Sequence, residues 1–213
     1  MIFLTDDTEF PSINESSPED VVAIGGDLAP ERLMNAYKKG IFPWFEEGSL
    51  ILWWCPDPRM VLFPADLKIS KSMNKVIKSS RFTVTYNQAF SQVIENCSLI
   101  KRKEQDGTWI TQDMISAYNK LYTMGYAKSV EVWEKDTLVG GLYGIDLGHV
   151  FCGESMFSKV SNASKTGFIS MVQKLKTENC KLIDCQVYTN HLASLGAKEI
   201  SRSSFLKILH SKD

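Results

Sequence analysis

The sequence predicts an α/β chain of the α+β kind, with a small N-terminal domain over residues 1–60 and a larger mixed-sheet domain over residues 61–213. Three observations predict it. Up to Met60 the chain is rich in Pro, Gly and Trp and holds one clear helix. Beyond Met60, strand-like runs and helical stripes follow one another as strands, helix, strand, helix, strand. Two carboxylates, Glu154 and Asp184, also stand in segments that otherwise have the texture of core.

In the first domain, Pro30 suits a first helical turn and Leu33, Met34 and Tyr37 form one face. Lys38 and Lys39 complement the helix dipole and Gly40 ends it. Trp44, Trp53 and Trp54 then fall within eleven residues. Large aromatics fill a thin core, or they wall a site for a base or an apolar side chain.

In the second domain, Ser70 caps a helix over Lys71–Lys78 that sets Lys71, Lys75 and Lys78 on one stripe. Such a stripe is a solvated face or a phosphate track. Lys101–Lys103 is a second basic cluster. Thr111 caps a helix with an apolar face of Met114, Ile115, Tyr118, Leu121 and Tyr122, ending at Gly125. The run from Ser129 to Glu134 alternates as a strand does, and residues 137–143 and 149–152 continue the meander. Asn162 and Ser164 open a long helix carrying Phe168, Met171, Val172 and Leu175 on one side. A strand over Lys181–Tyr188, a short helix over His191–Leu195, a strand over Lys198–Ser201 and a helix over Ser203–His210 complete the chain.

The net charge of −1 gives no global attraction to a polyanion, so any nucleic-acid site is a local patch. Five cysteines without a CxxC, and three histidines, make no zinc pattern; reduced thiols fit a cytoplasmic protein. Neither a signal peptide nor a run of transmembrane length is found. Gly153–Phe157 (GESMF) lacks the second glycine of a nucleophile elbow, and nothing pairs Ser155 with His191. Gly140–Gly144 (GGLYG) is not followed by the Lys-Ser/Thr of a phosphate loop; such glycines mark close approach of a backbone or a ligand.

The strings GGDL (25–28), GIFPWF (40–45), WWCPDPR (53–59), GTWIT (107–111), SVEVW (129–133), LVGGLYG (138–144), FCGESMFS (151–158), NASK (162–165), DCQ (184–186) and SLGA (194–197) occur in one order. In that order the chain resembles the leucyl/phenylalanyl-tRNA–protein transferase family, from about Gly25 to Ala197. Two departures stand out: Cys55 where serine is common, and a C-terminus at Asp213 where many members continue. The resemblance implies an acetyltransferase-like (GNAT) second domain. It implies transfer of Leu or Phe from Leu-tRNA or Phe-tRNA to the α-amino group of proteins that begin with Arg or Lys, in N-end rule degradation. It also implies Asp184 and Gln186 as the catalytic pair.

The aminoacyl ester is already activated, so the implied reaction needs no ATP, metal or coenzyme A. Two apart on a strand, Asp184 and Gln186 would share a face. Gln186 suits orientation of the amine, and Glu154 suits the positive acceptor residue. Trp44, Trp109, Tyr118, Phe151, Met171 and Leu175 are candidates for the aminoacyl end, with Trp44 or Trp109 stacking the terminal adenine. Lys71, Lys75 and Lys78 would grip tRNA phosphates. The chain is expected to act as a monomer away from membranes. A coenzyme A-dependent acetyltransferase would need glycines opening the long helix, where Val160–Lys165 has none. A non-catalytic RNA-binding module would leave Asp184 and Glu154 unexplained.

Overall fold

The computed structural model describes residues 2–5, 9–13, 20–100 and 109–211. The basic cluster Lys101–Lys103 and the first residues of GTWIT lie outside the described residues.

Strands β1 (Ile2–Leu4), β2 (Val21–Gly25), β3 (Phe42–Pro43) and β4 (Leu52–Trp54) form one sheet in the order β1-β2-β4-β3. Helix α1 (Pro30–Lys38) buries Leu33, Met34 and Tyr37, the face its periodicity predicts. Trp53 is wholly buried and meets Phe10 edge-on at 4.9 Å, so it belongs to the core. Trp44 stays partly exposed, 5.5 Å from Trp54 between ring centres.

A second sheet has seven strands in the order β11-β5-β10-β9-β8-β7-β6. They are β5 (Arg59–Leu62), β6 (Thr83–Tyr86), β7 (Ala127–Glu134), β8 (Thr137–Asp146), β9 (Val150–Ser158), β10 (Leu182–Gln186) and β11 (Lys198–Ile200). Within this sheet, among the described residues, only β9 and β10 pair in parallel, and α5 (Ala163–Thr177) makes the crossover between them; the sheet is mixed, as expected. The remaining helices are α2 (Lys71–Lys78), α3 (Phe90–Ser98), α4 (Gln112–Thr123), α6 (Asn190–Ser194) and α7 (Arg202–Leu209). Ser70 and Thr111 cap α2 and α4 by accepting the N–H of Met73 and Met114, as predicted. The long helix differs at its start. Asn162 takes a left-handed φ of 73° and makes no side-chain cap, while Ser158 Oγ accepts the Ser164 N–H. Among the described residues no helix is long and apolar enough to cross a membrane.

Helix α3 carries no cap signal of its own, and it goes unpredicted. Glu131 supplies what is missing. Alternation along β7 implied an outward Glu131, yet it is fully buried. It accepts hydroxyls from Ser129 and Thr85, each at 2.6 Å, and the N–H groups of Gln88 and Ala89, each at 3.3 Å, at the entrance to α3. A buried carboxylate with four donors is satisfied.

The glycines of β8 mark close approach by other protein atoms. A Cβ on Gly144 would lie 2.2 Å from the Cys152 carbonyl oxygen, and one on Gly140 would lie 2.7 Å from Ala163 Cβ. This close packing holds β9 and the start of α5 tightly against β8. One apolar cluster, including Trp53, Phe42, Val61, Tyr118 and Phe157, runs from the small sheet into the large one.

Candidate active site

The parallel ladder between β9 and β10 ends at the pair Cys152–Asp184, while β9 runs on to Ser158. Beyond that pair the ladder between the two strands does not continue. Open ends of parallel strands are where α/β sheets admit ligands. A cavity of about 520 Å³ lies there. Its walls include Trp44 after β3, Trp109 before α4, Met156 on β9, and Phe168 and Met171 on α5. Glu154, Asp184 and Gln186 contribute polar groups.

Glu154 is 9% exposed. Its carboxylate accepts the Tyr118 hydroxyl at 3.0 Å and the Gln186 amide Nε2 at 2.8 Å. The Tyr37 hydroxyl bonds to that of Tyr118 and also reaches Glu154. Burial raises the Glu154 pKa, the tyrosine hydrogen bonds oppose this, Asp184 adds repulsion and Gln186 lowers it; it comes to about 7. Burial also lifts both tyrosines well above their ordinary range, so they remain protonated donors.

Asp184 is 1% exposed and faces Arg59, itself 1% exposed. Arg59 Nε donates to Oδ1 at 2.8 Å and Nη2 to Oδ2 at 2.6 Å, a paired fork. The backbone N–H of Gln186 donates to Oδ1 at 2.9 Å, while burial and then the charge of Asp184 push the Cys152 thiol well above its ordinary range. Burial works against the Arg59 charge, but Asp184 outweighs it and holds the guanidinium above its ordinary pKa. The Arg59 guanidinium also lies 4.8 Å from the Phe42 ring centre and 4.6 Å from that of Phe205.

Regular alternation from Asp184 to Gln186 does not hold. The β10–β5 register shifts between them and Gln186 adopts a left-handed φ of 64°. Gln186 reaches the cavity through a bulge, and Cys185 lines the cavity too.

The other predicted residues divide. Trp44, Trp109 and Met171 line the cavity with Glu154, Asp184 and Gln186. Tyr118 stands behind Glu154, fully buried. Phe151 is buried in the sheet against Gly144, and Leu175 of α5 lies in the apolar core; neither lines the cavity. Lys71, Lys75 and Lys78 are exposed on α2, away from its lining. Sequence reasoning missed Arg59 and Tyr37. Arg59 had a signal, since it opens the apolar strand Arg59–Leu62, all four residues of which are buried. Tyr37 had none beyond a helix stripe.

An apolar cavity joined to a buried carboxyl and a half-buried amide, set where a parallel pair opens, defines an α/β protein with room for a ligand that has one apolar and one polar end. Known proteins narrow this. The profile of the family described as leucyl/phenylalanyl-tRNA protein transferase matches residues 61–210, and that of its N-terminal domain matches residues 26–57. The chain is 63% identical over 212 residues to the leucyl/phenylalanyl-tRNA–protein transferase of Flavobacterium johnsoniae, covering 100% of both chains. It is 58% identical over 209 residues to that of Flavobacterium psychrophilum, covering 98% of this chain and 99% of the relative. The chain belongs to the leucyl/phenylalanyl-tRNA–protein transferase family and is an aminoacyltransferase.

Solved structures give distant likenesses. A GCN5-related N-acetyltransferase from Kribbella flavida is 10% identical, with a TM-score of 0.37 over 79% of this chain and 60% of that one. L-PGS from Bacillus licheniformis is 12% identical, with a TM-score of 0.42 over 81% of this chain and 57% of that one.

Proposed function

We propose that this aminoacyltransferase moves Leu or Phe from the 3′ end of its aminoacyl-tRNA to the α-amino group of cytoplasmic proteins that begin with Arg or Lys, marking them for N-end rule degradation. It acts as a monomer. The second domain, from about residue 61, serves as an acetyltransferase-like (GNAT) unit turned to aminoacyl transfer. The small domain of residues 1–60 supplies Trp44 to the site.

One observation carries this reading: the Glu154–Gln186 hydrogen bond borders a cavity whose lining is mostly apolar. The apolar side, with Met171 and Phe168, suits a leucyl or phenylalanyl side chain. Trp44 and Trp109 suit the terminal adenine.

The chemistry is attack of an amine on an activated ester. The acceptor nitrogen bonds to the ester carbonyl carbon, the bond from that carbon to the ribose oxygen breaks, and the nitrogen's proton leaves toward the ribose oxygen. Holding the two reactants in line supplies roughly 7–11 kcal/mol of the barrier reduction. Gln186 orients the amine, Glu154 receives the acceptor's positive charge, and Asp184 supports Gln186 from behind. An amine of pKa about 8 needs only a mild base near neutral pH. Lys71, Lys75 and Lys78 hold tRNA phosphates electrostatically, a role their exposure permits.

Incubation with radiolabelled Leu-tRNA and an Arg-initiated peptide, without coenzyme A, tests the reading. Label is expected on Arg- and Lys-initiated peptides and not on Asp- or Gly-initiated ones. Failure to label the first pair overturns it.

A further inference from the structure

We infer that Arg59 is a positioning residue for the transfer step, clamping Asp184 so that Asp184 fixes the backbone of Gln186 and aims its amide at Glu154. The inference rests on the proposed role of Gln186 in orienting the amine.

A carboxylate has about four lone-pair directions. Two at Asp184 are taken by the Arg59 fork and one by the Gln186 N–H. Asp184 is thereby committed to two fixed neighbours, Arg59 and the Gln186 backbone, and its contribution is geometric. What it holds needs holding. A glutamine at φ 64° occupies a region that non-glycine residues seldom adopt, and such a conformation persists where neighbours over-determine it. Here the neighbour is Asp184 Oδ1, 2.9 Å from the Gln186 nitrogen. From that backbone the side chain reaches Glu154 Oε1 at 2.8 Å.

Arg59 in turn is fixed from two sides. Phe42 of β3 and Phe205 of α7 both present rings to its guanidinium. Its Nη1 meets no hydrogen-bond acceptor among the described residues, so the fork to Asp184 is what orients the group. A small-sheet strand and the last helix thus set the angle of a residue two links from the chemistry. A lysine would keep the charge and lose the planar fork.

The test compares Arg59→Lys with Gln186→Ala in single turnover with Leu-tRNA and an Arg-initiated peptide, after circular dichroism and urea unfolding have measured the folded fraction. Per folded molecule, Arg59→Lys is expected to slow transfer by about 10- to 100-fold, the scale of a reactant misplaced by an ångström. The KM for Leu-tRNA should change by less than about twofold, because the clamp does not touch the donor. The acid limb of the pH–rate profile should also move to higher pH. Glu154 is faced by Tyr37 from α1, Tyr118 from α4, and Gln186 and Asp184 from β10, and only the Gln186 donation is withdrawn. A loss that merely follows the folded fraction, with an unmoved limb, overturns the inference. A wild-type rate in Arg59→Lys beside an impaired Gln186→Ala overturns it and leaves the proposed function standing. A wild-type rate in Gln186→Ala overturns both the role of Gln186 and this inference. Should Arg59→Lys not fold, the double variant Arg59→Met, Asp184→Asn removes both charges and keeps an acceptor for the Gln186 N–H. It is expected to fold and transfer slowly; a wild-type rate there overturns the inference.

Discussion

Gln186 Nε2 donates to Glu154 Oε1 at 2.8 Å, joining β10 to β9 just where their backbone ladder has ended. The two side chains bridge an opening that the main chain leaves. The bridge depends on Glu154 accepting, which a carboxyl of pKa about 7 does most strongly above neutrality.

The raised Glu154 pKa has a consequence for stability. An ordinary glutamate titrates near 4.5 and Glu154 near about 7, so the folded chain keeps a proton that the unfolded chain has lost. Stability contributed by this group is therefore present below about 4.5, declines as pH rises through about 7, and is flat above that. At about 1.4 kcal/mol per pKa unit, the decline is on the order of 3 kcal/mol. Urea unfolding of wild type and Glu154→Gln at several pH values measures it. The wild type should lose stability relative to the variant between pH 5 and pH 8, and a constant difference would falsify the assignment.

Asp184→Ala strips a fully buried arginine of its partner. Loss of one member of a buried pair costs roughly 3–5 kcal/mol, because the remaining charge stays uncompensated. The double variant Asp184→Ala, Arg59→Met should recover part of that loss in urea unfolding. Where Asp184→Ala still folds, transfer should slow while tRNA affinity stays close to wild type. Equal stability of the single and double variants would show that the pair is not coupled.

The exposed stripe on α2 predicts a salt effect. Changing Lys71, Lys75 and Lys78 together to Ala should weaken tRNA binding and flatten its salt dependence. The log–log slope is expected to fall by up to about 0.9 for each phosphate no longer neutralised. Filter binding between low and high salt measures it, and an unchanged slope would make the stripe a solvated face.

Met171→Ala should relax donor selection. Met171 lines the cavity from α5, and a missing methylene alone alters discrimination by only about 1–3 kcal/mol. Rejection of Ile must then come mainly from a clash with its branched Cβ, which a smaller residue at 171 would relieve. The ratio of kcat/KM for Leu-tRNA to that for Ile-tRNA should fall in the variant. Equal loss for both donors would place Met171 in the ordinary core.

Local chemistry by itself determined much of this protein. Caps at Ser70 and Thr111, the apolar face of α1, the strand β7 and the helix between β9 and β10 are all encoded within a few residues, and each is found in place. The strings around Glu154 and Asp184 carried the family. Only the tertiary structure decided what the buried charges do. Glu131 starts a helix 42 residues earlier in the chain, Asp184 is neutralised by an arginine 125 residues away, and Glu154 takes its tyrosines from two different helices. Side-chain periodicity reports which face of an element is apolar and carries no information about which distant donor will meet a carboxylate there. The bulge at Gln186 escapes it for the same reason. A left-handed glutamine is unfavourable locally, and it exists because Asp184, held by Arg59, accepts its N–H.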